Sequence, residues 1–203
     1  MARKTKEETE ETRRSILDAA LNVLSEKGFS KTSFVDIAER IGMTKGAVYW
    51  HFKDKQALLA ALTREMQKRM RALMSEQAAE TVMLDGLAAY LAKRVAIATR
   101  DEYFRKFAFF ILLQMEWSAD MIAAVRKELA SFREEPFNEL SEILERARQR
   151  GELHKDVDLA TAKDMLTSTW VGILTTHFQG ISTTDPVKTA EEAFGVLIQS
   201  IEA

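Results

Sequence analysis

The sequence predicts an all-α protein, and three observations carry that prediction. Two prolines and eight glycines in 203 residues leave long stretches without helix breakers. Apolar residues recur at three- and four-residue intervals from Ile16 to Ile201. No segment alternates apolar and polar residues as a half-buried strand does, and there is no internal repeat or low-complexity linker.

In order, residues 1–11 form a charged arm without apolar period, expected to fray. The first helix follows, with Ile16, Ala20, Val23 and Leu24 on one face, and stops at Gly28. Ser33 and Asp36 make a capping box that opens the second helix, and Thr44 caps the third. Asp54 caps the fourth, whose stripe Leu58, Leu62, Met66, Met70 and Leu73 carries it to about residue 78. The fifth spans roughly 82–98 with Leu84, Leu87, Leu91, Val95 and Ala98 at helical spacing. The sixth, near 102–116, is apolar almost all round and is expected to be central. The seventh covers 119–149, kinked or split by Pro136 and closed by Gly151. The eighth runs from Asp158 to Gln179 before Gly180. Asp185 and Pro186, a cap and a first-turn proline, start the ninth through Ile201. About nine helices result, divided as residues 1–54 and 55–203.

The second and third helices carry the informative motif. Ala38 is small where the two would touch. Gly42, four residues later, takes the corner, and Val48 falls on the inward face of the third helix. These offsets are those of a helix-turn-helix, whose second helix docks in the major groove of DNA. An ordinary helical hairpin with a surface lysine is the alternative from spacing alone. In the DNA reading the third helix presents Thr44, Lys45, Gly46, Tyr49, Trp50 and His51. Lysine donates to guanine O6/N7, threonine offers a hydroxyl or a methyl contact, and Gly46 lets the backbone approach closely. Thr32 and Ser33, at the start of the second helix, place hydroxyls and backbone N–H groups where a phosphate can meet them. Lys55 adds a cation.

The segments Thr12–Ala20, Gly28–Ser33, Asp36–Ala38, Gly42–Lys55 and Leu58–Leu59 together resemble the amino-terminal domain of the tetracycline-repressor family. The run Gly46-Ala-Val-Tyr-Trp-His-Phe52 is particularly similar to the branch that controls multidrug efflux operons. The specific match covers roughly residues 5–60; beyond it the likeness is architectural. The resemblance implies a DNA-binding domain followed by a helical ligand-binding and dimerisation domain. It also implies that Tyr49 and His51 match the family's phosphate-contacting pair and Lys55 its matching lysine.

Charge is consistent with a localised DNA surface. The net charge is −2, yet residues 1–60 hold 11 Lys and Arg against 9 Asp and Glu, while the remainder holds 18 against 22. Lys45, His51, Lys53 and Lys55 cluster about the proposed recognition helix. With no cysteine there is no disulfide framework or thiolate metal site. The amino terminus lacks the apolar core of a signal peptide, and the longest apolar run, Phe107–Leu113, is too short to span a bilayer. A cytoplasmic protein without membrane association is expected.

The eighth and ninth predicted helices carry the stripes Ala162, Leu166, Trp170, Ile173, His177 and Ala190, Phe194, Leu197, Ile201. Paired with the same helices of a second chain, they form a four-helix bundle and a homodimer matched to a palindromic operator on double-stranded DNA. The alternative is that the stripes only complete their own core. Met66, Met70, Phe107, Phe110, Met115, Trp117, Met165, Trp170 and His177 are candidate lining for a small hydrophobic ligand, with core packing the competing reading. Scattered His51, His154 and His177, and the lack of H-E-x-x-H, G-x-S-x-G or glycine-rich phosphate motifs, give no catalytic residues, no metal site and no cofactor. The function expected is that of a sequence-specific transcriptional regulator, a repressor released by a small hydrophobic ligand. The alternative is a helical scaffold that uses the helix-turn-helix for protein contacts.

Overall fold

A computed structural model describes residues 6–74, 82–130 and 138–203. Among them are ten α-helices and no strand beyond an isolated antiparallel bridge between Leu153 and Glu202. The helices are α1 (Lys6–Lys27), α2 (Phe34–Arg40), α3 (Lys45–His51), α4 (Lys55–Leu73), α5 (Leu87–Arg100), α6 (Glu102–Phe109), α7 (Ala119–Ala130), α8 (Asn138–Gln149), α9 (Leu159–Phe178) and α10 (Pro186–Gln199). Phe110–Gln114 continues α6 as a π-helix. The chain folds as two compact units, Met1–Met66 with Phe109–Glu134, and Gln67–Ala108 with Glu135–Ala203. No described helix is long and apolar enough to cross a membrane.

In the first unit, Ile16, Leu17, Ala20, Leu21 and Leu24 of α1 are buried, as are Phe34, Ile37 and Ala38 of α2 and Val48 of α3. Burial of Ile37 and Val48 contributes roughly 1.5–3 kcal/mol each. Ser33 and Asp36 form the expected capping box: Asp36 N donates to Ser33 Oγ at 3.3 Å, and Ser33 N to Asp36 Oδ2 at 2.8 Å. The Lys27 ammonium pairs with the other Asp36 oxygen. Hydrogen bonds from Lys27 and then Ser33 hold the Asp36 carboxyl well below the usual carboxylate range. Gly42 turns the corner at φ +63°, with Met43 N donating to Ala38 O at 2.8 Å. A Cβ at Gly42 would meet nothing within 4 Å, so the backbone angle rather than space demands glycine there.

One lysine binds three elements of this unit. Lys55 Nζ, on the first residue of α4, donates to Phe29 O at 2.8 Å and Thr32 O at 3.0 Å, and lies 4.5 Å from the Phe29 ring centroid. Partial burial draws its pKa below the ordinary lysine value. The segment after the π-helix packs on the same loop: Gln114 Nε2 donates to Ser25 O at 3.2 Å and Ser30 Oγ to Glu116 Oε2 at 2.8 Å.

In the second unit, α5 packs against α10 and α9, with Leu87, Tyr90, Leu91, Val95 and Ala98 facing Ala190, Phe194 and Ile198 in the core. A polar cluster crosses it. Arg94 Nη1 and Tyr90 Oη both donate to Glu139 Oε2, at 2.7 and 3.1 Å, and Arg71 Nη1 lies 3.9 Å from Oε1.

Several sequence expectations need correction. The arm expected to fray enters α1 at Lys6, where Glu7 and Glu8 complement the helix dipole. The predicted 119–149 helix is α7 and α8, and Pro136 lies outside the described residues. α5 begins at Leu87 because 84–86 form a turn. At the end of α4, Met74 is buried and Leu73 exposed, so the stripe ends one residue later than expected. Segment 102–116 is not wholly central. Phe104, Ala108, Phe110 and Met115 are buried, while Phe107, Phe109 and residues 111–114 are half-buried. Ile201, assigned to a second-chain interface, is buried in its own chain, its carbonyl accepting His154 N at 3.0 Å; Ala190 and Phe194 likewise face α5. Intrachain packing accounts for most of that stripe.

Two outcomes follow from the tethers. Asp36 titrates below its unfolded value, so its contribution is complete above about pH 4 and is lost as pH falls through the folded value. Asp36→Asn should therefore melt below wild type at pH 7, with the gap in melting temperature closing on acidification below about pH 4. Lys55→Met leaves the Phe29 and Thr32 carbonyls without their ammonium, and circular-dichroism melts should register a loss on the order of 1–2 kcal/mol.

Candidate nucleic-acid interface

The groups expected to face DNA lie on α3, at its N-cap and at the first turn of α2. Thr44 caps α3, its Oγ1 accepting Ala47 N at 3.3 Å, which leaves the threonine methyl and Lys45 exposed beside it. Val48 is the buried residue that anchors α3, so most of this short helix stays accessible. Tyr49 packs edge-on against Phe34 of α2, ring centroids 4.8 Å apart, and Lys45 Nζ sits 5.3 Å from the Tyr49 centroid. This aromatic pair fixes the first turn of α2 against α3. Trp50, 72% exposed, meets His51 edge-on at 4.7 Å. An indole this accessible, on the polar side of an anchored helix, contributes nothing to the chain's own core.

A cleft of about 440 Å³ opens where α2, α3 and α4 begin, with Ser33, Val35, Lys45, Tyr49, Lys53 and Gln56 among its lining residues. Its ammonium groups and aromatic edges suit phosphate and base edges together. Gly46 lies beside it, and a Cβ there would meet only Thr44 Oγ1 at 3.9 Å. The chain's own packing leaves room for a side chain at 46.

Three expected phosphate contacts are engaged inside the chain, and the first, Ser33, gives both its N–H and its hydroxyl proton to Asp36 Oδ2. Thr32 is 2% exposed and its hydroxyl donates to Gly28 O at 2.7 Å. Lys55 holds the loop carbonyls described above. Thr32 and Lys55 both support the cleft wall, with Lys55 still contributing charge to it. Val35 and Gln56 line the cleft and escaped sequence reasoning. Val35 gave a signal in hindsight, an apolar residue off the inward face of α2, but it is indistinguishable from a chance surface valine without the cleft.

The candidate ligand lining is divided. Met66, Phe110, Met115 and Trp117 belong to the first unit, and Met70, Phe107, Met165, Trp170 and His177 to the second. Met66, Met70, Phe110 and Met115 are buried; Phe107, Trp170 and His177 are half-buried. Trp117 is 42% exposed, its indole N–H donating to Ile111 O at 3.2 Å, and Met165 is 39% exposed on α9. The last two stand at surfaces.

Comparison with known proteins places this geometry. Residues 16–62 match the model of the bacterial regulatory proteins, tetR family. The HTH-type transcriptional regulator AcrR of Shigella flexneri is 55% identical over 62 residues, 30% of this chain and 29% of that protein, so this match spans under a third of that relative's length. The HTH-type transcriptional regulator SrpR of Pseudomonas putida is 28% identical over 208 residues, covering 98% of this chain and 91% of its own. The structure of SmeT, repressor of the Stenotrophomonas maltophilia multidrug efflux pump SmeDEF, superimposes with a TM-score of 0.73 at 27% identity, over 96% of this chain and 92% of that one. SmeT has also been solved as a complex with triclosan. Residues 16–62, which hold the helix-turn-helix, are thus a tetR-type amino-terminal domain.

Proposed function

We propose that this protein is a homodimeric, sequence-specific transcriptional repressor in the cytoplasm, released from a palindromic operator by a small hydrophobic ligand, with no catalytic activity. DNA binding is assigned to residues 1–54, and ligand binding and dimerisation to 55–203. The carrying observation is the exposed face of α3, where Thr44, Lys45, Gly46, Tyr49, Trp50 and His51 stand beside a lysine-rimmed cleft on a helix anchored through Val48. Ser33 lines the cleft edge, with its N–H and hydroxyl proton both committed to Asp36.

Support for the dimer comes from the outer faces of α9 and α10. Met165 and Val196 are exposed there, the latter at 67%. Gly172 and Gly195, each within a helix, have nothing within 4 Å of a built Cβ. Mid-helix glycine costs about 1 kcal/mol against alanine, and close approach of a second chain's helices recovers it. The SmeT–triclosan complex supports a small hydrophobic ligand. Of the candidate lining, Met70, Phe107, Trp170 and His177 fall within the second unit and remain proposed there, while Met165 is given to the dimer face.

A duplex selected from a randomised pool by the full chain should shift in gel titrations with a steep log–log dependence on salt. Lys45→Ala should lose about 1–3 kcal/mol on the selected sequence and relax its preference at one base pair. Salt-independent binding, or none, would favour the protein-contact alternative. Met165→Glu with Val196→Glu should yield a folded monomer by light scattering, with binding to the two-fold site collapsing to that of a single half-site. A persistent dimer removes α9 and α10 from the interface.

A further inference from the structure

The exposed face of α2 carries one group that a phosphate contact does not explain. Val35, the second residue of the helix, is 40% exposed and lines the same cleft as Lys45 and Tyr49. Its neighbours on the helix surface are polar and already committed. Asp36 is tied to Lys27 and Ser33, and Arg40 grips Glu26 through two hydrogen bonds at 2.9 and 2.5 Å. Phe34 turns inward onto Tyr49. Val35 therefore offers a branched apolar surface in a cleft lined also by Lys45, Lys53, Lys55 and Tyr49 and by the polar Ser33, Asp54 and Gln56. The Phe34–Tyr49 contact holds that surface in fixed relation to Lys45, one turn before Tyr49 on α3.

Such a surface gains nothing from a phosphate. On the major-groove edges of the base pairs, the apolar group is the C5-methyl of thymine. Accepting the proposed DNA-reading function, we infer that Val35 is a base-reading residue: it packs on a thymine methyl in each half-site, and α2 thereby specifies a base pair alongside those read from α3. Lys45 and Val35 then divide recognition by chemistry, the ammonium on an acceptor-rich base and the isopropyl group on a methyl.

Deoxyuridine, which differs from thymidine by that methyl alone, supplies the probe. The full chain is first used to select a duplex from a randomised pool, and each thymidine of that duplex is then replaced singly by deoxyuridine. Wild type should lose about fourfold in affinity at one position per half-site, the factor that one methyl-sized apolar contact carries. Val35→Ser should bind equally well with or without the methyl at that position, while Val35→Thr, with one methyl group in place of two, falls between. Thr44→Ser is the control, since it removes the other nearby side-chain methyl but keeps the hydroxyl that caps α3; it should remain sensitive at the Val35 position. Position 35 is exposed, so the variants' melting temperatures should match wild type. The inference is overturned if deoxyuridine is neutral throughout the selected duplex, or if the sensitive position stays sensitive in Val35→Ser. A wild-type chain that selects no sequence overturns the DNA-reading function itself, a result distinct from selective binding without methyl dependence.

Discussion

The ammonium of Lys55 sits where three elements of the first unit meet. α1 ends at Gly28, α2 starts after Ser33, and the loop between them turns its Phe29 and Thr32 carbonyls toward the first residue of α4. Backbone carbonyls in a short loop have few partners within reach, and a lysine that satisfies two at once costs less than leaving them to compete for water in a half-buried site. Burial works against the charged amine, as its lowered pKa records, and the carbonyl dipoles offset that penalty. Thr32 reinforces the same loop through its bond to Gly28 O. The start of α2, with Ser33 and Val35, is therefore positioned by α4.

A second attachment reaches this loop from another part of the chain. Gln114 and Glu116 hold Ser25 and Ser30, on either side of Gly28. Both holding segments lie just inside places where the chain passes between its compact units, within α4 at 66/67 and at the end of α6 at 108/109. The chain thus passes between its units both within α4 and at the end of α6. In the proposed mechanism, ligand and operator affect each other by equal and opposite free energies. Changes carried by covalent continuity along either segment arrive at residues 25–33, the stretch that sets α2.

Much of this was legible in the sequence because its signals are local. The caps at Ser33, Thr44, Asp54, Asp158 and Asp185 and the left-handed glycines at 28, 42, 151 and 180 concern a few consecutive residues, and all take the expected form. What was not legible depends on distant partners. Lys55 reads as a free cation until the loop 26 residues earlier is folded over it. Ile201 reads as an interface residue until the terminal strand-like pairing with residues 152–154 returns it to its own core. Leu73 and Met74 exchange places because a one-residue step rotates a helical side chain by about 100°.

The same rotation gives the π-helix its significance. An i→i+5 segment inserts one residue relative to an α-helix, so every later side chain is displaced about 100° around the axis from where a continued α6 would put it. The apolar run predicted a central helix through residue 116, whereas residues 111–114, within the changed register, are half-buried while Phe110 is fully enclosed. An isolated π segment is less stable than the α-helix it interrupts, so its persistence needs external contacts. Gln114 to Ser25, Glu116 to Ser30, and the Trp117 indole back to Ile111 O supply those contacts. The irregular backbone and its attachment to the loop between α1 and α2 therefore support one another, and neither was visible in a pattern that assumed a single helical period.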